Sequence, residues 1–284
     1  MSMDKTAYSA LTAKICGMSA KLLKEDDYQM IASMKSVTEL ITWLCDYTVY
    51  GKFLKELDVS FYHRGNIEKI LINSLYDDCK RLYRFSNGKQ KDFIKLYMKK
   101  FENPDGNPEE FLSSWKTGKK IPDKTNRLLY LNNMGQQIDL RNLQWIYRAK
   151  KYYHLDGKDI YPMLIPIHHK LTTEQVKRLC ESPNEDEFLR IVNEETYYGK
   201  KCHFDEEHSI EKTTDVWLNH LYVTEYRKNP HSIAGIYQYL FRKEKEITTI
   251  ITAMECIRYG LPEAEILAYI KRPVWQDYQG GNDK

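Results

Sequence analysis

Residues 195–200 read ETYYGK and residues 47–52 read YTVYGK, so two similar stretches occur about half a chain apart. Each follows a segment in which apolar residues recur with helical spacing. Each also ends in the same three residues, Tyr-Gly-Lys. A shared turn at the end of two helical segments indicates that one structural unit occurs twice.

The sequences around the two turns also match. Residues 23–52, called here the first repeat, align without a gap with residues 171–200, the second repeat. After a connector that is five residues shorter in the second copy, NIEK at 66–69 aligns with SIEK at 209–212. The identical pairs in the repeats are Leu23/Leu171, Glu39/Glu187, Thr48/Thr196, Tyr50/Tyr198, Gly51/Gly199 and Lys52/Lys200. We predict a unit of two short helices, a Tyr-Gly turn and a long helix, present twice.

The Tyr-Gly turn has a structural interpretation. We predict that Gly51 and Gly199 adopt the left-handed conformation that ends many helices. The preceding tyrosines would then pack their rings against neighbouring helices and fix the turn. The residues of this predicted structural turn are Thr48, Tyr50, Gly51, Thr196, Tyr198 and Gly199. We expect a structural role for them and not a catalytic one.

The composition favours an all-α fold of repeated helical bundles related by internal pseudo-symmetry. The chain of 284 residues contains only 13 glycines and 9 prolines, which is typical of long helices joined by short turns. Its hydrophobic content of 42% and charged content of 29% are those of an ordinary globular protein. No segment alternates with period two for long enough to predict a sheet.

Several classes of protein are disfavoured. No apolar run approaches the length needed to span a membrane, and the N-terminal residues lack the apolar core of a secretory signal. The six cysteines form no CxxC pair, which predicts reduced thiols in a cytosolic setting. The net charge of +3 does not indicate a nucleic-acid partner.

Turn-forming clusters and the repeat together predict the domain organisation. The predicted parts are a first helical unit at 1–101, a loop at 102–108, a central helical segment at 109–169, a second helical unit at 170–275 and a flexible tail at 276–284. The loop reads ENPDGNP and is the densest turn cluster in the chain.

Several longer stretches resemble a known family. The most distinctive one, at 229–262, reads NPHSIAGIYQYLFRKEKEITTIITAMECIRYGLP. HRGNIEK at 63–69, IDLRNLQWIYRAKKYYH at 138–154 and the TYYGK of the second turn add to it. In these stretches, and over nearly its whole length, the chain resembles the C subunit of the V-type/A-type ATPases (ATP synthases), which is called the d subunit in eukaryotes.

The resemblance implies an all-helical, funnel-shaped and noncatalytic subunit on the cytoplasmic face of the membrane. Such a subunit binds the proteolipid rotor ring and receives the foot of the central stalk, formed by the D and F subunits. It transmits torque for ATP-linked transport of protons or sodium ions. The implied contact with the membrane is through the ring alone.

One departure from the family pattern concerns the number of repeats. Family members resemble a threefold repeat around the funnel axis, whereas two copies are found here. The gap falls between Phe101 and Glu110, at the loop 102–108. The resemblance therefore implies a funnel that lacks one of its three units.

Three lysines are candidates for an interface. Lys91, Lys95 and Lys99 lie on one face of a predicted helix whose other face carries apolar residues. One interpretation is a solvated face. The other is contact with an acidic surface of a neighbouring subunit or with lipid headgroups.

A buried ion pair is predicted near the C-terminal end of the chain. Glu244 falls on an apolar stripe between Leu240 and Ile247. A carboxylate in that position needs a partner or a raised pKa. Arg148 is the candidate partner, and we expect the pair to be structural.

Two stretches contain residues of the types found in metal sites and in phosphate-binding loops. CHFDEEH at 202–208 holds metal-ligating residue types, but their spacing matches no zinc signature. TGKK at 117–120 lacks the upstream glycine of a phosphate loop. We predict no catalytic residue, no metal, no cofactor and no nucleic acid. The alternatives are a free helical scaffold or nucleic-acid binder derived from the same family and, more remotely, a metal-dependent enzyme centred on 202–208.

Overall fold

The computed structural model describes residues 2–99, 108–205 and 209–271. Over these ranges the chain forms fourteen α-helices, two short 3-10 helices (Val59–Phe61 and Tyr161–Met163) and no β-strand. The α-helices are α1 Ser2–Ser19, α2 Glu25–Ser33, α3 Val37–Tyr47, α4 Gly51–Leu54, α5 Arg64–Phe85, α6 Gly88–Lys99, α7 Pro108–Gly118, α8 Lys124–Tyr153, α9 Gly157–Ile160, α10 Thr173–Glu181, α11 Glu185–Glu195, α12 Ile210–Lys228, α13 Ala234–Arg258 and α14 Glu263–Ile270. The predicted all-α fold class is confirmed. No helix in the described ranges has the length and apolar character needed to cross a membrane.

The described residues form two compact units. The first unit contains residues 2–99 and 235–271, and the second contains residues 108–205 and 209–234. The first unit is discontinuous in sequence, because α13 and α14 return to it after the whole second unit.

This division differs from the boundaries predicted from the sequence, which place residues 170–275 in one helical unit. Helices α13 and α14 follow the second repeat in sequence but belong to the first unit. The apolar stripe of a helix does not reveal which core it covers, because the same stripe fits either. The predicted central segment 109–169 lies in the second unit. Of the predicted loop 102–108 only Pro108 is described, and it begins α7, whereas the tail 276–284 lies outside the described residues.

The two repeats contain helices of equal length at aligned positions. Helices α2 and α10 have 9 residues each, and α3 and α11 have 11 each. The second helix of each repeat begins after a capping side chain: Ser36 accepts from the backbone N–H of Glu39 at 3.1 Å, and Asn184 accepts from Glu187 at 2.9 Å. Each cap satisfies an N–H that the helix itself cannot, and its loss costs about 1 kcal/mol.

The centre of the first unit is built on α5. The apolar side chains of Ile67, Leu71, Cys79 and Leu82 are fully buried, and α5 packs against α1, α4 and α6. Phe85, the last residue of α5, is about half exposed. Burial of each Leu or Ile contributes about 1.5–3 kcal/mol.

The second unit is built around α8, which has 30 residues and packs against α7, α11 and α12. The stretch 138–154 quoted above covers the second half of this helix, which extends back to Lys124, where Asp123 caps it. The extension carries polar residues on its buried side. The buried polar residues of α8 are Asn126, Asn133, Gln136, Asp139, Asn142 and Lys150. Four of them, Asn126, Asp139, Asn142 and Lys150, bond backbone outside the helix. Asn142, for example, exchanges two hydrogen bonds of 3.0 Å with the backbone of Ile165.

Candidate functional site

A buried carboxylate in the first unit, that of Glu246 on α13, has three hydrogen-bond donors. It accepts from the backbone N–H of Leu23 (2.5 Å), the hydroxyl of Tyr50 (2.7 Å) and the ammonium group of Lys243 (3.2 Å). Leu23 precedes α2 and Tyr50 follows α3, so one side chain bonds both ends of the first repeat. We call Glu246, Leu23 and Tyr50 the first carboxylate anchor.

The charge of Glu246 is balanced by Lys243, one turn earlier on the same helix. Their side chains are 0% and 1% exposed. The Lys243 ammonium also lies 3.9 Å from the centroid of the Tyr50 ring, within cation–π distance. Burial lowers the pKa of Lys243, and the nearby Glu246 opposes that change. Burial, and then the charge of Glu246, raise the pKa of Tyr50 well above its ordinary value, so the Tyr50 hydroxyl keeps its proton and donates.

A buried carboxylate in the second unit, that of Asp139 on α8, has four donors. The backbone N–H groups of His169, Lys170 and Leu171 donate to it at 3.1, 2.6 and 3.2 Å, and the Tyr198 hydroxyl donates at 2.9 Å. Leu171 and Tyr198 lie at the two ends of the second repeat. We call Asp139, Leu171 and Tyr198 the second carboxylate anchor.

The groups that donate to the Asp139 carboxylate are all neutral. Burial raises the pKa of Asp139, and the hydrogen bonds from the backbone and from Tyr198 oppose that change. Burial is also the main cause of the raised pKa of Tyr198. The Tyr198 ring packs edge-on against Trp217, with ring centroids 5.9 Å apart, and the indole N–H of Trp217 donates to Gln136 at 2.8 Å.

The side chain of His169 lies close to α8 at Gly135. A Cβ atom at Gly135 would lie 2.5 Å from the ring of His169. That ring is also 3.1 Å from the amide oxygen of Asn132, measured from Nε2. Burial lowers the pKa of His169, which favours its neutral form. Gly135 thus leaves room for the side chain of His169, the residue whose backbone N–H donates to Asp139.

The threonines of the two turns make matching hydrogen bonds. The hydroxyls of Thr48 and Thr196 each donate to the carbonyl four residues earlier, at 2.6 Å in both turns. The Thr48 oxygen accepts from the N–H of Tyr50, and the Thr196 oxygen accepts from the N–H of Gly199, both at 3.1 Å. Each threonine therefore joins the end of a helix to the residues that follow it.

The predicted conformation of the two turn glycines is wrong. In the described part of the chain, positive φ angles occur at His154 (50°) and Gly260 (69°), and not at Gly51 or Gly199. The two turns need glycine for a different reason, which is the close approach of the preceding helix. A Cβ atom at either Gly51 or Gly199 would lie 2.1 Å from a backbone carbonyl oxygen of that helix. Any side chain there would collide with it.

The residues of the predicted buried ion pair have other partners. The guanidinium of Arg148 donates to Glu211 at 2.8 Å, and Glu244 accepts from the hydroxyl of Tyr97 at 2.5 Å. The pairing of Arg148 with Glu244 stays a prediction. The fully buried acid on α13 is Glu246 and not Glu244. Glu244 lies at the edge of the helix face that packs on the core and is only partly buried.

The predicted interface lysines lie on α6. The ammonium groups of Lys91 and Lys95 are 5.1 and 5.8 Å from the centroid of the Tyr83 ring on α5. Lys99 ends α6, and its side chain lies outside the described residues. Contact between this face and another molecule stays a prediction.

The acidic stretch 202–208 is described only as far as Asp205. Burial raises the pKa of the Cys202 thiol to about 12, so this thiol keeps its proton at neutral pH. The amide side chain of Asn193 exchanges two hydrogen bonds with the backbone of Phe204 and fixes the segment. Over the described ranges, no group of three or more His, Cys, Asp or Glu residues is arranged to hold a metal ion.

The geometry of the two anchors suits the fastening of helices. General acid–base catalysis needs a group that can reach a substrate, whereas the Glu246 and Asp139 carboxylates are buried and bonded to the protein. Glu246, Lys243 and Asp139 were not among the residues predicted from the sequence. The spacing of Lys243 and Glu246, three residues apart within an apolar helix, is the signal that could have identified the buried pair.

Comparison with known proteins agrees with the sequence resemblance. A model of the ATP synthase (C/AC39) subunit family matches residues 11–103 and 109–269. The C subunit of the A-type ATP synthase of Methanobrevibacter smithii is 29% identical over 166 residues, which cover 55% of this chain and 43% of the relative. The corresponding protein of Methanocaldococcus jannaschii is 24% identical over 198 residues, covering 70% and 40%. The matched region thus spans less than half the length of these relatives. Because the family model matches nearly the whole chain in both units, this chain belongs to the ATP synthase (C/AC39) subunit family.

Proposed function

We propose that this chain is a noncatalytic central-stalk subunit of a rotary V-type/A-type ATPase and that it couples the stalk to the membrane rotor ring. In that role it binds the proteolipid ring on one side and the D and F subunits of the stalk on the other. It lies in the cytoplasm at the membrane surface, reaches the membrane only through the ring and binds no nucleic acid. It supports ATP-linked transport of protons or sodium ions without binding nucleotide itself.

The observation that carries the proposal is the family match, which runs through both units in order and includes both carboxylate anchors. Both relatives are named as the C subunit of an A-type ATP synthase. The matched regions cover 43% and 40% of those proteins, so the role of the whole relative is proposed for this chain by similarity.

The packing of helices within each unit supports a mechanical role. A part that transmits rotation has to resist bending and sliding, and close-packed interiors transmit strain well. Helices α8 and α13 have 30 and 25 residues, and each bonds both ends of a two-helix repeat through one buried carboxylate. Such bonds oppose sliding of a repeat along its long helix.

The test is purification of the full chain, with an affinity tag, from membranes of the cell that makes it. We expect the proteolipid ring and the D and F subunits to purify with it and an image of the assembly to place it between them. Treatment that detaches the central stalk should release it, and the purified chain alone should not hydrolyse ATP.

The soluble fraction of the same cells provides the control. Recovery of the chain only in that fraction, with salt-dependent partners and no ring protein, would contradict the proposal. It would favour the alternative, a free helical scaffold derived from the same family.

A further inference from the structure

We propose that each of the two repeats is held closed by a single carboxylate supplied from a helix outside it, and that each repeat depends on its own carboxylate alone. Glu246 closes the first repeat, and Asp139 closes the second. In each case the carboxylate bonds the backbone at one end of the repeat and the tyrosine hydroxyl at the other.

The partners of the two carboxylates are equivalent residues. Leu23 aligns with Leu171, and Tyr50 aligns with Tyr198. The carboxylates themselves lie outside the aligned repeats and belong to side chains of different length. Two different helices therefore supply the same chemical group to the same two positions of the aligned repeats.

The two carboxylates differ in their sequence position relative to the repeat that they bond. Asp139 precedes the second repeat and is close to it in sequence, whereas Glu246 follows the first repeat only after the whole second unit. Each acceptor lies on a helix that follows the other repeat. The two ends of the first repeat are therefore bonded by α13, a helix that follows the second unit in sequence.

The two anchors stabilise a buried negative charge in different ways. At Glu246 the ammonium of Lys243 compensates the charge, and at Asp139 three backbone N–H groups and a hydroxyl do so. Loss of the acceptor leaves buried donors without a partner in both cases. Removal of one carboxylate should therefore open its own repeat locally and leave the other repeat closed.

Hydrogen–deuterium exchange of the isolated full-length chain tests the proposal, independently of any rotor assembly. In Glu246→Gln we expect the amides of Leu23 and of residues 50–54 to exchange at least tenfold faster than in the wild type, with residues 196–202 changed less than twofold. Asp139→Asn should give the reverse pattern, with faster exchange at residues 169–171 and around Tyr198. The matched control is Glu244→Gln on α13, which should leave Leu23 as protected as in the wild type.

Tyr50→Phe and Tyr198→Phe keep the proposal testable if a carboxylate variant does not fold, because each removes only one hydroxyl. Each should raise exchange in its own turn severalfold. Unchanged exchange in its own turn in Tyr50→Phe or Tyr198→Phe would overturn the proposal. So would equal effects of the Glu246 and Glu244 variants, or a response of both repeats to either carboxylate variant.

Discussion

The ammonium group of Lys243 lies 3.9 Å from the centre of the Tyr50 ring, and the Tyr50 hydroxyl and Lys243 both donate to the same carboxylate, that of Glu246. The face and the hydroxyl of one tyrosine are thus held by the two members of an ion pair. Because neither charged side chain is more than 1% exposed, water screens their attraction little. Removal of one charge is expected to leave the other buried without compensation.

Lys243→Met should therefore lower the free energy of unfolding by about 3–5 kcal/mol, the range found when one member of a buried pair is removed. Chemical denaturation followed by circular dichroism measures it. The control is Lys52→Met, since Lys52 pairs with Asp77 at 2.8 Å on the surface and its loss should cost about 1 kcal/mol or less. Equal effects of the two variants would contradict the compensation of charge in the first anchor.

Gly51→Ala and Gly199→Ala should each destabilise the chain by about 2 kcal/mol or more, because the new methyl group would overlap a backbone carbonyl oxygen. Gly17→Ala is the matched control. A Cβ atom there meets nothing within 4 Å, so that variant should gain about 0.5–1 kcal/mol through better helix propensity. Thermal unfolding of the three variants distinguishes a collision from a general intolerance of alanine at glycine positions.

Glu225→Gln should change the pH dependence of stability. Burial raises the pKa of Glu225 above its ordinary value of 4.5, although a hydrogen bond from Asn132 opposes the change. The folded chain then binds this proton more tightly than the unfolded chain. The contribution of Glu225 to stability accordingly falls as the pH rises from about 4.5 through the raised pKa, and it is constant above that.

The glutamine variant has no such proton to lose. Its free energy of unfolding relative to the wild type should therefore increase between about pH 4.5 and pH 7.5. Urea denaturation at the two pH values measures the difference. A difference that stays constant with pH would show that the pKa of Glu225 is the same in the folded and unfolded chains.

Charge reversal of Lys91 and Lys95 tests the predicted interface. If this face of α6 binds an acidic surface, Lys91→Glu with Lys95→Glu should weaken association of the chain with its membrane assembly at least tenfold at low salt, with little change in thermal stability. Lys158→Glu is the control, because Lys158 is a highly exposed lysine of the second unit. Equal binding by both variants would favour the interpretation of a solvated face.

Arg148→Ala distinguishes the observed from the predicted ion pair. The pair of Arg148 with Glu211 is about half exposed, so its loss should lower the free energy of unfolding by less than about 1 kcal/mol. A loss of about 3–5 kcal/mol, abolished in the background of Glu244→Gln, would instead support the predicted pairing with Glu244.

The local features of the fold were predictable because their causes lie within a few residues. The caps Ser36 and Asn184 bond the residue three positions later, and the threonine of each turn bonds the carbonyl four positions earlier. Glycine in both turns was recognised as necessary, but its reason was not, because a close approach to the preceding helix depends on how the turn packs.

The carboxylate anchors were not predictable in the same way. The whole described second unit lies between Tyr50 and Glu246 in sequence, and nothing in either local sequence identifies the other as its partner. Asp139 lies in a polar half of α8 that sequence patterning does not distinguish from a solvated surface. A buried polar group is recognised by its donors, and the donors become visible only in three dimensions.

The return of α13 to the first unit affects how the protein folds during synthesis. The ribosome releases residues 2–99 first, yet these residues wait for α13 to complete their core. The second unit has all of its described residues before the first does. Tyr50 and Asp78, which bond Glu246 and Tyr239 on α13, thus lack these partners throughout that interval, and the incomplete first unit is exposed to aggregation during it.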